Sequence, residues 1–278
     1  MFNRVYVEIT DRCNLNCAFC PGTRRPLGEM SPQAFAVVAE KLRPVTGYLY
    51  FHVMGEPLLH PQLEALLTIA GEKGFKVCLT TNGTLLRKRE GVLLAAGSLH
   101  KVSVSLHSFE GNGAPDMEAY LTQVWESCRA LAGRGVICVL RLWNEGGLEQ
   151  RNGEIEDFLA RKTGTCPADW PQTRQDTWRL APGVFLERAC RFDWPDAGAE
   201  ETGTQFCYGL RSQMGVLWDG TVVPCCLDHE GDLALGNLLE QDLEEILESP
   251  RAKAIYEGFS RRQPSEELCR RCGYASRF

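Results

Sequence analysis

An open, partial (β/α)6 barrel followed by a small cysteine-rich domain is the fold class that the sequence predicts. Three observations predict it. Short β-rich runs alternate with amphipathic helical stretches through the first 190 residues. Composition shifts near Arg191 to a stretch rich in Asp, Gly, Glu and Thr. Beyond it, Cys207, Cys225, Cys269 and Cys272 are spaced like a ligand set. Alternating strand and helix means parallel strands joined by right-handed crossovers. Six β-rich runs are too few for a complete eight-stranded barrel. A flat doubly wound sheet is the alternative. In both, ligands bind at the C-terminal ends of the strands.

The β-rich runs are Arg4–Ile9, Tyr48–Met54, Lys76–Thr80, Lys101–Leu106, Val136–Trp143 and Val184–Cys190. Between them, Phe35, Val38, Ala39 and Leu42 repeat at helical spacing, with Ser31 as N-cap and Pro32 at the first helical position. Leu63, Leu66, Leu67 and Ala70 form a second such face, and Leu121, Val124, Trp125, Cys128 and Leu131 a third. Residues Phe192–Gln205 read as a linker. A hairpin follows, with Met214–Trp218 and Thr221–Pro224 flanking a turn at Asp219-Gly220. Leu239, Leu243, Ile246 and Leu247 then predict one amphipathic helix. The chain divides into a barrel over residues 1–190, a linker over 191–206 and a cysteine-rich domain over 207–278.

A chain of 278 residues with 44% apolar residues buries a core without disulfides. Its 30 Lys and Arg against 36 Asp and Glu leave it acidic, which argues against a general nucleic-acid binder. No run approaches the ~20 apolar residues that span a bilayer. The N-terminus lacks the basic and apolar regions of a signal peptide. The expectation is a cytoplasmic protein with no membrane partner. In such a reducing compartment its 13 cysteines are buried hydrophobes or metal ligands, and spacing decides which.

Cys13, Cys17 and Cys20 form a C-x3-C-x2-C run at the end of the first predicted strand. Three close thiolates hold three irons of a [4Fe–4S] cube, whereas ferredoxin-like clusters use a fourth. Zinc prefers two C-x2-C pairs. The fourth iron is then open, and an open coordination site is where chemistry happens. The run resembles the signature of the radical S-adenosylmethionine (SAM) enzymes. The resemblance implies a partial (β/α)6 barrel, with SAM chelating the open iron through its amino and carboxylate groups. An electron from the reduced cluster cleaves the sulfonium to a 5′-deoxyadenosyl radical, which takes hydrogen from a substrate. It also implies a reductant partner such as flavodoxin or ferredoxin.

Other motifs fit the same family. Phe19 stands where the family places an aromatic beside the adenine. Gly55-Glu56-Pro57 resembles the motif that contacts the SAM amino group, with Met54 in place of the usual preceding Gly. Ser105 and His107 close the fourth strand and resemble the ribose-binding segment, with His107 also placed for the substrate pocket. Thr81-Asn82-Gly83 reads as a structural turn. Arg141, at the end of the fifth strand, is a candidate for the SAM carboxylate or a substrate anion. The family's glycine-rich adenine motif is not evident on that strand.

Cys207, Cys225, Cys269 and Cys272 suit either a closed zinc site or a fully ligated [4Fe–4S] cluster. The spacing from Cys207 through Gly220 to Cys225 resembles the start of the SPASM domain of radical SAM maturases. With only six residues after Cys272, it resembles the shortened, twitch form, which holds one auxiliary [4Fe–4S] cluster. Cys226 adjoins Cys225, and the two can exchange roles. Cys78, Cys128 and Cys138 read as core.

Such a cluster suggests an electron acceptor, so the leading expectation is two-electron oxidation of a C–H bond. The start of the chain directly at the barrel favours, as an expectation, a small-molecule substrate or a peptide delivered by a partner. Epimerisation, or cross-linking within a peptide, is the alternative. An epimerase needs a hydrogen-donating thiol, for which Cys190 or Cys166 is the candidate. A non-catalytic iron–sulfur electron carrier and a C-terminal zinc module are rivals of another kind.

Overall fold

The computed structural model describes residues 1–110, 112, 116–147 and 151–277. Its strands are β1 (Arg4–Val7), β2 (Tyr48–Phe51), β3 (Lys76–Thr81), β4 (Leu99–Ser105), β5 (Ile137–Glu145), β6 (Gln172–Arg174), β7 (Thr177–Ala181), β8 (Val184–Cys190), β9 (Gln213–Val216), β10 (Thr221–Val223) and β11 (Gly236–Asn237). The helices are α1 (Pro32–Leu42), α2 (Leu63–Glu72), α3 (Leu86–Ala95), α4 (Leu106–Glu110), α5 (Met117–Gly133), α6 (Asn152–Thr163), α7 (Leu243–Leu247), α8 (Pro250–Ser260) and α9 (Glu267–Arg270).

These strands form one sheet, ordered β11-β10-β9-β1-β2-β3-β4-β5-β8-β7-β6. From β1 to β5 and on to β8 every neighbouring pair is parallel. The order never reverses within this stretch, which favours a barrel wound in one direction over a doubly wound sheet. The barrel stays open, with an antiparallel hairpin on the β8 edge and β9 to β11 on the β1 edge.

Alternation along the strands separates the two faces. Val5, Val7, Leu49, Phe51, Val77, Leu79, Val102 and Val104 are buried in the main core. Their alternates Tyr6, Tyr50, Lys101 and Ser105 line the barrel interior. Helix α1 forms as its sequence predicts. Ser31 Oγ accepts from Ala34 N at 3.1 Å, and Phe35, Val38, Ala39 and Leu42 are buried.

Three features differ from the sequence expectations. The hairpin of β6 and β7 was not foreseen, because β6 is exposed throughout and carries no apolar alternation. The last helical region is two helices, and Leu239 is exposed ahead of them. The signal for α8 was Ser249-Pro250, the same N-cap and first-turn pair that starts α1. Lastly, β9 pairs in parallel with β1, so the sheet runs without a break from the barrel into the cysteine-rich segment.

Candidate functional site

The loop after β1 carries the first thiol group and is closed at its neck. An isolated antiparallel bridge joins Thr10 to Glu29. Gly28 N donates to the Asp11 carboxylate at 2.8 Å, and Trp218 Nε1 donates to the other oxygen at 3.1 Å. Gly28 has no room for a side chain, since a Cβ would lie 2.4 Å from the Trp218 ring. Beside the neck, Arg25 Nη2 donates to both oxygens of Glu8, at 2.8 and 2.9 Å. Glu8 also accepts from Met54 N at 3.1 Å. Burial pushes the Glu8 carboxyl up to about 7, against the pull of Arg25.

Within the loop, Cys13 and Cys20 are exposed and Cys17 is half-buried. Asn112 Nδ2 donates to Cys17 Sγ at 3.2 Å, while its Oδ1 accepts from Asn16 N at 2.8 Å. Asn82 Nδ2 donates to Asn14 Oδ1 at 3.0 Å, and Asn14 Nδ2 donates to Thr84 Oγ1 at 2.9 Å. The loop is thus pinned on both sides of its cysteines. Burial raises the Cys13 and Cys17 thiols, and the neighbouring thiols add to the rise.

Gly55, Glu56 and Pro57 back the root of this loop. Gly55 has φ +76°, and a Cβ there would lie 2.4 Å from the Thr10 carbonyl oxygen. Glu56 N donates to Arg12 O at 2.8 Å. The Glu56 side chain is 1% exposed, and its oxygens accept from Leu58 N, Thr81 Oγ1 and Asn82 N at 3.0, 2.7 and 2.7 Å. Burial pushes its carboxyl up to about 7, with these donors opposing. Pro57 opens the 3-10 turn that Glu56 caps.

A cavity of about 690 Å³ fills the barrel at the C-terminal ends of the strands and reaches down between them. Phe19, Ser105, His107 and Arg141 all line it, whereas Gly55, Glu56 and Pro57 do not. The Phe19 and His107 rings lie 5.1 Å apart. His107 Nδ1 sits 3.2 Å from Arg141 O, and burial pushes this imidazole down to about 4. Arg141 lies 4.4 Å from the Trp143 ring centroid and 3.6 Å from Glu187. Cys190 is exposed at the end of β8 and Cys166 is exposed before a 3-10 turn; neither lines the cavity.

Cys207, Cys225, Cys269 and Cys272 line a second, smaller cavity. Burial raises all four thiols, Cys207 to about 11. Cys226 faces the other way, into the barrel cavity beside Tyr6. Of the two adjacent cysteines, Cys225 lines the chamber of Cys207, Cys269 and Cys272, and Cys226 lines the barrel cavity. Leu227 and Tyr274 line both cavities, so the two chambers share a wall. Among the described residues no three His, Cys, Asp or Glu side chains close around a single ion. Cysteines on separate corners of an iron–sulfur cube are spread more widely than ligands of one ion, and a thiol-only donor set fits such a group.

Sequence reading missed Glu8, Asn82 and Asn112 as supports of the cysteine loop. Asn82 stood in view as part of a turn, but its partner Asn14 lies 68 residues away.

A singly wound open barrel with a pinned loop of three thiols defines the class. The radical SAM superfamily model matches residues 7–150, more than half of the chain, and the chain belongs to that superfamily. The SPASM iron–sulfur cluster-binding domain model matches residues 207–273. The chain is 29% identical over 115 residues to the S-adenosyl-L-methionine-dependent 2-deoxy-scyllo-inosamine dehydrogenase of Niallia circulans, a match covering 39% of this chain and 46% of that protein. It is 32% identical over 279 residues to the antilisterial bacteriocin subtilosin biosynthesis protein AlbA of Bacillus subtilis, covering 90% of this chain and 60% of that one. The chain thus spans less than half of the dehydrogenase and well under the whole of AlbA. The crystal structure of BtrN in complex with AdoMet and 2-DOIA shares the fold, with a TM-score of 0.59 at 18% identity over 98% of this chain and 93% of that one.

Proposed function

We propose that this chain is a radical SAM oxidoreductase that removes two electrons from a substrate C–H bond. Cys13, Cys17 and Cys20 would hold a [4Fe–4S] cluster with one iron open to SAM, and Cys207, Cys225, Cys269 and Cys272 one closed auxiliary [4Fe–4S] cluster. When bound, the first cluster and SAM supply an organic radical able to take a hydrogen atom from carbon. The chain's own residues do the rest. Asn112 and Asn14 fix the loop that presents the three thiols. Phe19, Ser105 and His107 form the rim on which the nucleoside of SAM would rest.

The observation that carries the oxidation reading is the shared wall. Leu227 and Tyr274 face both chambers, and Cys225 and Cys226 face opposite ones. An electron leaving a substrate radical in the barrel has one residue layer to cross to reach the second thiol group. A small molecule or one side chain of a peptide suits a cavity of about 690 Å³. The exposed Cys13 and Cys20 leave the first site accessible to a reductant such as flavodoxin or ferredoxin. No helix among the described residues is long and apolar enough to cross a membrane. A chain with 13 cysteines and no export signal suits the reducing cytoplasm.

Anaerobic reconstitution followed by iron analysis and a 5′-deoxyadenosine assay with SAM and dithionite tests this reading. About eight irons per chain with SAM cleavage supports it. About four irons with zinc would remove the auxiliary acceptor and the oxidation argument.

One observation favours epimerisation as a second reading. Cys226 is the cysteine whose thiol faces the barrel cavity, in place of Cys190. A Cys226→Ala variant that still cleaves SAM but exchanges no hydrogen at a substrate carbon would identify an epimerase.

A further inference from the structure

Basic side chains line the lower part of the barrel interior. Tyr6, Tyr50, Cys78 and Lys101 are in register across β1 to β4. Arg4 lies two residues before Tyr6 on β1, and both Arg4 and Lys101 line the cavity. Arg141 lines the same cavity higher on β5, in register with Ser105. Among the described residues the carboxylate paired with this group is Glu187, 3.6 Å from Arg141. Among the described residues no carboxylate lies within ion-pair distance of Arg4 or Lys101, and Glu187 acts on Lys101 only from farther off. His52 sits amid the three cations, and its Nδ1 is buried without a hydrogen-bond partner. Burial, followed by repulsion from Arg141, Arg4 and Lys101, pushes that imidazole down to about 3, so it is neutral. Crowding cations in a low-dielectric chamber is costly unless an anion joins them.

The depth of Arg4 and Lys101 separates them from the SAM site. Lys101 precedes Ser105 by four residues on β4, which places it about 13 Å deeper along the strand. The cysteine loop, Phe19 and His107 lie at the other end. The carboxylate of a SAM bound at the cysteine loop would stay at that rim.

We propose that Arg4, Lys101 and His52 form an anion subsite in the lower part of the cavity, with Arg141 above them level with Ser105, and that the substrate carries a carboxylate or phosphate which docks there. The inference rests on the radical SAM oxidoreductase reading for its orientation: the anion at the floor turns the rest of the substrate towards the rim, where hydrogen is removed. Glu187 holds Arg141 upright against Trp143, whose Nε1 donates to Glu187 at 2.9 Å.

Calorimetric titration of the reconstituted protein tests the subsite. SAM is titrated first, which examines the radical SAM reading separately. Inorganic phosphate and acetate are then titrated into the SAM-saturated protein at constant ionic strength. One-to-one binding of an anion, weakened about tenfold or more in Lys101→Met and retained in Lys101→Arg, is the expected result. Binding of phosphate without acetate assigns a phosphorylated substrate, and acetate binding assigns a carboxylate. Displacement of the anion by SAM would give these cations to the cofactor and overturn the inference. So would equal binding by wild type and Lys101→Met, or no anion binding at all. Should Lys101→Met fail to fold, Arg4→Gln at the exposed edge of the same group carries the same comparison. Failure of SAM to bind while phosphate still binds through Lys101 would sink the radical reading and leave the subsite standing.

Discussion

Cys225 and Cys226 differ by one position and by the chamber they face, so they give a sharp pair of variants. Cys225→Ala is expected to lose about four irons per chain, and Cys226→Ala to keep them, by iron analysis after reconstitution. Equal loss in both would show that the adjacent thiols substitute for each other. The buried carboxyls make a second prediction. Glu8 and Glu56 both stand at about 7 in the fold, against 4.5 for the free side chain. Below about pH 4.5 both are protonated in the folded and unfolded chain, and their contribution is fully present. As pH rises through about 7 it is lost, at about 3 kcal/mol for each fully buried group. The thermal midpoint of the metal-free protein should therefore fall between about pH 5 and 8, less steeply in Glu8→Gln. A midpoint that rises over that range would show that Arg25 and the hydrogen-bond donors outweigh burial. At this scale the sequence was legible where chemistry is local along the chain. Cys13, Cys17 and Cys20 lie within eight residues, and spacing alone exposed them. Asn112 was not legible, because its partner Cys17 is 95 residues away.

Among the elements, the loop after β1 depends on close backbone approach. Gly55→Ala adds a Cβ into the Thr10 carbonyl at a positive φ. The cost is about 1–2 kcal/mol for the left-handed conformation and about 1–3 kcal/mol for overpacking. Gly55→Ala is expected to reduce iron in the first cluster while the auxiliary cluster persists, which electron paramagnetic resonance of the two clusters distinguishes. Retention of both signals with an unchanged melting temperature would refute this account of the glycine. The six parallel strands were legible because each presents a run of β-branched or aromatic residues between helical faces. Val184–Cys190 matches its predicted bounds. The β6–β7 hairpin was not, since strands that bury little leave no period to read. Glu56 shows another limit. The motif was recognised, but that its carboxylate turns to Leu58, Thr81 and Asn82 rather than into the cavity depends on a neighbouring strand.

Across the whole molecule, the cysteine-rich segment completes the barrel rather than hanging from it. Removing residues after 206 would leave β1 without its β9 partner and the Gly28 neck without Trp218. A single cooperative unfolding transition is expected for the full chain, and calorimetry showing two separate transitions would contradict it. Trp218→Ala should destabilise the protein by about 2–3 kcal/mol, less than a fully buried Trp because its ring is partly exposed. It should also loosen the first cluster, read as faster iron loss to a chelator. The division into barrel, linker and cysteine-rich domain was drawn from composition, which records where the chain changes character and not which strands pair. The Trp218 contact carries a further consequence for the order of biosynthesis. The neck that frames the first three thiols closes onto a residue translated 207 positions after Asp11. A nascent chain emerging from the ribosome presents Cys13, Cys17 and Cys20 long before it can shape them into a site. The loop that carries these thiols would then take its final shape only after Trp218 has been made, and not when the cysteines themselves appear.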